Sequence, residues 1–365
     1  MTTKKIARGH TKDVDDFVRQ YDLKRPLYAD FTDKLRGLLE VLLNSSEIKF
    51  QVVEQRTKDV QSFREKITRA NKNYSDPLRE ITDLTGLRII VYYLEDVDLV
   101  CKLIEREFSI DKNASIDKGQ LLKPNEFGYR SVHYIASLSS NRKDLLEWQQ
   151  FSKLTAEIQI RTVLQHAWAA ISHALQYKIE EDVPSQFRRK LSRLSGLLEL
   201  SDEEFSALKR EQQTFASIVS ANIEQGNISL ELNAITLKEY IESDSLKFLA
   251  VAAEKAGFTI VDKYKNTDEY KDTLSRIIAA CNYVGIETIR ELEENLQRSK
   301  SWAERYFKLH YDNSGYAKWK ASISFLVELI LLHLHTGKLD ADFLINTGWN
   351  SEVAGRVAKV ARKKL

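Results

Sequence analysis

From residue 13 the chain reads "DVDDFVRQYDLKRPLYADFTDKLRGLLEVLL", with apolar positions recurring every three or four residues. That spacing predicts a long helix with Asp13 as its N-cap. The same periodicity predicts a second helix over residues 52–69, "VVEQRTKDVQSFREKITR". The pattern then changes. Residues 87–93, "LRIIVYY", form a β-rich run, and "DVDLVCKLIEREF" returns to helix with Asp96 placed as its cap. "YRSVHYIASL" (129–138) and "TAEIQIRT" (155–162) predict two further strands, and "VLQHAWAAISHALQYK" an amphipathic helix directly after them. In the last strand Ala156, Ile158 and Ile160 alternate with Glu157, Gln159 and Arg161. One face is apolar, and the other carries an acid, an amide and a guanidinium in a row.

"RRKLSRLSGLLELSDEEFSALKREQQ" predicts one more helix or a helix pair. Helices with at least three strands joined by long connections make an α/β (α+β) layer around one mostly covered sheet. The small and polar stretch "SANIEQGNISLELN", residues 220–233, predicts a boundary between a first domain over 1–220 and a second over 234–365. The second domain reads as mostly helical, with Gly257 and Gly285 as helix stops. Its apolar run "SFLVELILLHLH" is too short to span a bilayer and is broken by Glu328, so it predicts a buried helix. The basic end "VAKVARKKL" reads as a solvated helix terminus.

Composition narrows the class. The chain has 365 residues, 43% hydrophobic and 30% charged, which suits a soluble globular protein of two domains. A net charge of +2 excludes a molecule coated in positive charge, without excluding a local basic groove. Cys101 and Cys281 lack metal or disulfide spacing, and the first residues lack the apolar core of a signal peptide. The expectation is a cytoplasmic protein without a membrane partner.

Four short blocks carry candidate chemistry. Lys58, Ser62 and Lys66 are spaced four apart and, on a helix, share one face just after Arg56. Such a stripe can hold a triphosphate, although a charged helix face is more often merely solvated. Asp83 precedes a strand that carries Arg88; it suits a Mg²⁺ ion as well as it suits a turn cap. Gly128 and Tyr129, followed by Arg130 and His133, offer a ring for base stacking beside two cations, or a tyrosine closing a strand end. Glu157 can ligate Mg²⁺ or accept a hydroxyl proton. His166 and His173 lack metal-ligand partners, Trp168 reads as core, and His333 with His335 points to different helix faces.

In order, the chain offers R-x-K-x3-S-x3-K, D-L-T-G-L-R, G-Y-R-S-x-H, E-I-Q-I-R-T and W-A-x3-H-x3-Y-K. Over roughly residues 50–180 this resembles the synthetase domain of the RelA/SpoT family, which makes the alarmone (p)ppGpp. The resemblance implies a nucleotidyltransferase-like mixed sheet flanked by helices, with the β,γ-pyrophosphate of ATP passing to a ribose 3′-hydroxyl. Under it, Arg56 and Arg88 would hold adenine, and Lys58, Ser62 and Lys66 the ATP phosphates. Asp83 and Glu157 would hold Mg²⁺, with Glu157 also accepting the 3′-hydroxyl proton. Tyr129, Arg130, His133, Gln159 and Arg161 would shape the acceptor pocket. Relatives of this kind are often homo-oligomers.

The sequence departs from the family pattern in one place. "NEFGYR" puts Glu126 and Phe127 between Asn125 and Gly128, where many members read Asn-Gly-Tyr, so the roles of Lys123 and Asn125 and the acceptor itself are open. The pair His-Asp of the family's hydrolase domain is absent from the sequence, which predicts no (p)ppGpp hydrolysis. Three readings follow. The first is a synthetase acting on GDP or GTP. The second is a toxic relative that pyrophosphorylates the tRNA 3′ end and is held off by its second, regulatory domain until a protein trigger binds. The third is a catalytically silent nucleotide sensor. A basic patch of Lys4, Lys5, Lys24, Arg25 and residues 188–190 would suit an RNA acceptor or plain solvent.

Overall fold

In the computed structural model, which describes residues 3–69, 73–117, 131–175, 185–261, 267–313 and 319–363, the chain divides between Lys209 and Arg210 into two compact units. The first unit begins with α1 (Thr3–Ser45), β1 (Phe50–Thr57), α2 (Val60–Ile67), β2 (Thr85–Val91) and α3 (Leu94–Glu107). It continues with β3 (Phe108–Ile110), β4 (Ile116–Asp117), β5 (Val132–Leu138), β6 (Thr155–Thr162) and α4 (Val163–Ala174). The unit division falls inside α5 (Ser185–Glu224), a single helix whose last turn takes up residues 220–224.

The strands lie in the order β1-β2-β6-β5-β3, with β4 beside β5. Only β2 and β6 run parallel; the other pairs are antiparallel. Leu87, Ile89 and Val91 share one face with Ala156, Ile158 and Ile160, and all are buried. Phe31, Leu35, Leu39 and Leu43 of α1, with Val97, Val100, Leu103 and Ile104 of α3, complete that core. Each such side chain contributes roughly 1.5–3 kcal/mol by leaving water. The alternation seen in the sequence therefore fixes which sheet face the helices cover.

Five expectations need correction. Residues 52–57 are strand, paired with β2 from Val52↔Ile90 to Thr57↔Thr85, because sheet pairing outweighs a helical spacing of charges. The helix starts only at Val60, where Asp59 caps it by accepting from the Ser62 amide at 2.7 Å. Lys58 thus stands at the strand–helix junction and shares no helical face with Ser62 and Lys66. Asp13 lies inside α1 and does not cap it. Asp96 lies in the first turn of α3, whose N-cap is Tyr93; its Oδ1 accepts from Lys209 Nζ at 2.8 Å. β2 ends at Val91, short of Tyr92 and Tyr93. Trp168 is half-buried, on a helix that buries none of its residues fully, so it is not core.

The second unit is mostly helical, as the pattern predicts. Its helices are α6 (Ala234–Glu242), α7 (Lys247–Ala256), α8 (Asp268–Val284), α9 (Ile289–Gln297) and α10 (Ala303–Asp312). They are followed by α11 (Ile323–Leu334), α12 (Ala341–Asn346) and α13 (Ser351–Ala361). A short parallel pair, β7 (Thr259–Ile260) and β8 (Lys320–Ala321), is an element the periodicity did not predict. α7 stops at Gly257 with φ 107°, a left-handed conformation; a Cβ there would also come within 3.1 Å of the Tyr311 ring. α11 is the buried apolar run and carries Glu328 into the core. No helix of the described residues is long and apolar enough to cross a membrane.

Candidate active site

The face of the sheet opposite the α1–α3 core is polar, and the register explains why. Glu54 of β1 pairs with Arg88 of β2, Arg88 with Gln159 of β6, and Gln159 with His133 of β5. Two residues along, Arg56 pairs with Gly86 and Gly86 with Glu157. Strand alternation thus aims two ranks of functional groups to the same side. They border a cleft of about 490 Å³ whose lining includes Arg56, Lys58, Asp83, Arg88, Glu157 and Gln159. Gly86 leaves the middle of the second rank without a side chain, so the space between Arg56 and Glu157 stays open.

Asp83 is held from two sides. Lys58 Nζ donates to Oδ2 at 2.7 Å and Lys66 Nζ to Oδ1 at 2.8 Å. Burial alone would raise the Asp83 carboxyl, but the two ammoniums outweigh it and hold it below the usual carboxylate range. Lys58 is buried, and its backbone is pinned by α1. Its carbonyl accepts from the Tyr21 hydroxyl at 2.6 Å and from Arg25 Nε at 3.2 Å. Tyr21 in turn stacks on Phe63 of α2 with centroids 4.4 Å apart. A hydroxyl chain of Thr32, Thr57 and Thr85 ties the same helix to the ends of β1 and β2.

Glu157 Oε1 lies 2.8 Å from His133 Nδ1. Burial raises its carboxyl, while the histidine contact works the other way and leaves it below the usual range. Asp83 is close enough to act on Glu157 as a like charge. Arg88 is fixed at two points, by Glu54 Oε2 at 3.3 Å and Gln159 Oε1 at 3.3 Å. Arg56 is the most open of the group, 61% exposed, and reaches Asp59 at 3.8 Å.

Of the predicted site residues, Arg56, Lys58, Asp83, Arg88, Glu157 and Gln159 line the cleft, while Lys66 and His133 reach it through Asp83 and Glu157. Arg161 is buried, with Nη2 donating to Gln159 Oε1, so it braces the row from below the surface. Ser62 turns away: its hydroxyl donates to Asp59 Oδ2 at 2.7 Å within the helix cap. Tyr129 and Arg130, with Lys123, Asn125 and Gly128, lie outside the described residues, as do Tyr177, Lys178 and the side chains of Lys4, Lys5 and Arg188. Arg25 of the proposed basic patch is spent on the Lys58 carbonyl. Both cysteines are free, and burial pushes each thiol up to about 12.

Two groups escaped the sequence reading. Glu54 anchors Arg88 and stands 4.0 Å from His166 Nε2. Reading "VVEQRT" at period two would have found it, since Glu54 and Arg56 then share a face opposite the buried Val53. Tyr21 carried no signal at all, because only the packing of α1 on α2 brings it to Lys58. Among the described residues no group of three or more His, Cys, Asp or Glu side chains gathers as a metal cluster. The two carboxylates Asp83 and Glu157 are nonetheless ionised, share one cleft and supply the hard oxygens that Mg²⁺ takes, so the donor set fits that ion.

The family model described as "Region found in RelA / SpoT proteins" matches residues 55–182. Against GTP pyrophosphokinase YjbM of Bacillus subtilis (strain 168), the chain is 32% identical over 188 residues, 49% of this chain and 80% of that protein. Against GTP pyrophosphokinase YwaC of the same organism, it is 32% identical over 131 residues, 36% of this chain; it spans 59% of that protein's length. The crystal structure of the small alarmone synthetase 1 from Bacillus subtilis bound to its product pppGpp is 25% identical, with a TM-score of 0.45. That match covers 53% of this chain and 98% of the other.

Proposed function

The chain belongs to the RelA/SpoT family, and from that premise we propose that it is an ATP-dependent pyrophosphokinase. In this reading it moves the β,γ-pyrophosphate of ATP onto the ribose 3′-hydroxyl of GDP or GTP, making (p)ppGpp as the bond to the α-phosphate breaks and AMP leaves. One observation supports this above the rest: Asp83 and Glu157, two ionised carboxylates, share a cleft with Arg56, Lys58 and Arg88 on a single sheet face. Transfer between two polyphosphates demands positioning and charge compensation more than covalent help.

The residues divide the work. Arg88, held in orientation by Glu54 and Gln159, presents a fixed guanidinium to the adenine, and exposed Arg56 closes on it from the adjacent strand. Lys58 and Lys66 are already in place through Asp83, so incoming phosphate oxygens take over hydrogen bonds that the carboxylate holds in their absence. Mg²⁺, held by Asp83 and Glu157, would neutralise charge on the phosphates. A Glu157 carboxylate oxygen accepts the proton of the 3′-hydroxyl, and His133 at 2.8 Å steadies that carboxylate in its ionised form. The absence of a His-Asp pair from the sequence goes with a synthetase that does not hydrolyse its product.

The test is an incubation with γ-labelled ATP and Mg²⁺, offering GDP, GTP and deacylated tRNA separately. The proposal expects label in guanosine nucleotide. Label in tRNA alone would move the acceptor to the tRNA 3′ end, the reading that the "NEFGYR" departure favours. No label with any acceptor would overturn the enzyme altogether in favour of a silent nucleotide sensor.

A further inference from the structure

The second unit contains a cavity of about 400 Å³, within the roughly 300–1,000 Å³ range of small-ligand sites. One wall carries three neighbouring aromatic rings, with Trp319 tilted 50° to Phe325. Trp319 and Phe325 have centroids 5.8 Å apart, and Phe325 stacks on Trp349 at 6.0 Å with an interplanar angle of 30°. All three rings are half-buried and line the opening. Arg276 closes one end, its guanidinium 5.6 Å from the Trp349 ring centroid. Lys320 and Arg356 also line the cavity, and neither forms an ion pair among the described residues.

What lies behind the wall argues that it is built for a ligand. Glu328 is buried in a mostly apolar helix, a placement that costs stability unless every bond is made. Its carboxylate accepts from Arg276 Nε at 2.7 Å and Nη2 at 3.3 Å, and from Trp349 Nε1 at 3.3 Å. Each of these bonds goes to a residue of the cavity wall. Arg276 also donates to Thr273 Oγ1 at 3.0 Å, so its plane is fixed before any ligand arrives. A buried acid that orients one guanidinium and one indole at the same opening is what a preorganised recognition site needs.

The lining carries three cations, Arg276, Lys320 and Arg356, against one acid, Glu269, and Glu328 behind the wall offsets Arg276. Two cations therefore remain for an anion, next to flat rings that every base can stack on. We propose that this cavity binds a nucleotide, the base against one of the rings of Trp319, Phe325 and Trp349 and the phosphates on Lys320 and Arg356. Its lining comes wholly from the second unit and shares no residue with the lining of the first-unit cleft.

Photolabelling of the full chain with 8-azido-ATP and 8-azido-GTP, mapped by peptide mass spectrometry, tests this. The expected result is saturable label within residues 319–357, competed by unlabelled nucleotide and not by inorganic phosphate. Arg356→Glu and Lys320→Glu should each cut that label at least tenfold while peptides of the first-unit cleft keep theirs. Lys320 is exposed, so its charge reversal serves if Arg356→Glu costs folding. Absence of saturable label in 319–357, label unchanged by both reversals, or equal competition by inorganic phosphate would each overturn the proposal. Label in the first-unit cleft reports on the enzyme reading independently.

Discussion

Each unit places a carboxylate against cations, and the two are displaced in opposite directions. Asp83 sits at a cleft, 28% exposed, with an ammonium on each oxygen, and its carboxyl is held below the usual range. Glu328 sits inside α11, 5% exposed, with Arg276 and Trp349 on it, and burial pushes its carboxyl up despite the guanidinium. The chemistry of pairing is the same; access to water differs. Where water and ligand can enter, ion pairs are exchangeable and suit a site that takes up phosphate. Where they cannot reach the carboxylate, the acid is a fixed anchor whose removal leaves an uncompensated charge.

Glu157→Gln gives the largest expected effect on the cleft side of this comparison. It should lower pyrophosphate transfer by about 10²–10⁴-fold, the range for a lost general base, with little change in melting temperature. Turnover near the wild-type rate in a label-transfer assay would remove Glu157 from the role given above. On the anchor side, Glu328→Ala should cost about 3–5 kcal/mol in urea unfolding, because it leaves half-buried Arg276 and the Trp349 indole without their shared acceptor. Transfer per folded molecule should hardly change. A double variant, Arg276→Met with Glu328→Leu, should regain most of the loss, and failure to do so would mean the anchor does more than balance charge.

Acid separates the two carboxylates by sign. Asp83, with a lowered folded value, stabilises the chain above about pH 4 and loses that contribution as pH falls through the folded value. Glu328, with a raised folded value, contributes fully below about pH 4 and loses the contribution as pH rises through the folded value. In thermal melts, the advantage of wild type over Asp83→Asn should therefore shrink on acidification, and its advantage over Glu328→Gln should grow. Trends of the same sign in both series would dissolve the contrast. The smallest effect belongs to Tyr21→Phe. Losing one hydrogen bond to the Lys58 carbonyl should cost about 1 kcal/mol of stability, with Arg25 still in place, and an unchanged urea midpoint would make that bond incidental.

What could be read beforehand follows from how local each cause is. The row Glu157-Gln159-Arg161 was legible because period-two alternation is a local property, and β6 buries Ala156, Ile158 and Ile160 as the pattern requires. Asp83 and Arg88 were legible as residue types beside a strand. Residues 52–57 were misread because their charges fall at helical spacing, and only pairing with β2 decides otherwise. Asp96 was misread as a cap because its partner, Lys209, is 113 positions away. The second unit's cavity was invisible for the same reason. Arg276, Glu328 and Trp349 come together from two helices and a loop, and no spacing in the sequence announces it.

The strand order has a consequence for synthesis on the ribosome. β6 lies between β2 and β5, although it is the last of the sheet to be made. A nascent chain ending before Thr155 carries β1 with β2 and β3 with β5 as separate ribbons, each with an unpaired edge. Glu157 is then missing, and the two ribbons have no register to each other. Insertion of β6 closes both edges and completes the polar face of the sheet in one event, about 70 residues after β2 has emerged. The sheet face that carries Arg56, Arg88 and Glu157 is therefore assembled late and all at once, and a chain stalled before Thr155 lacks it.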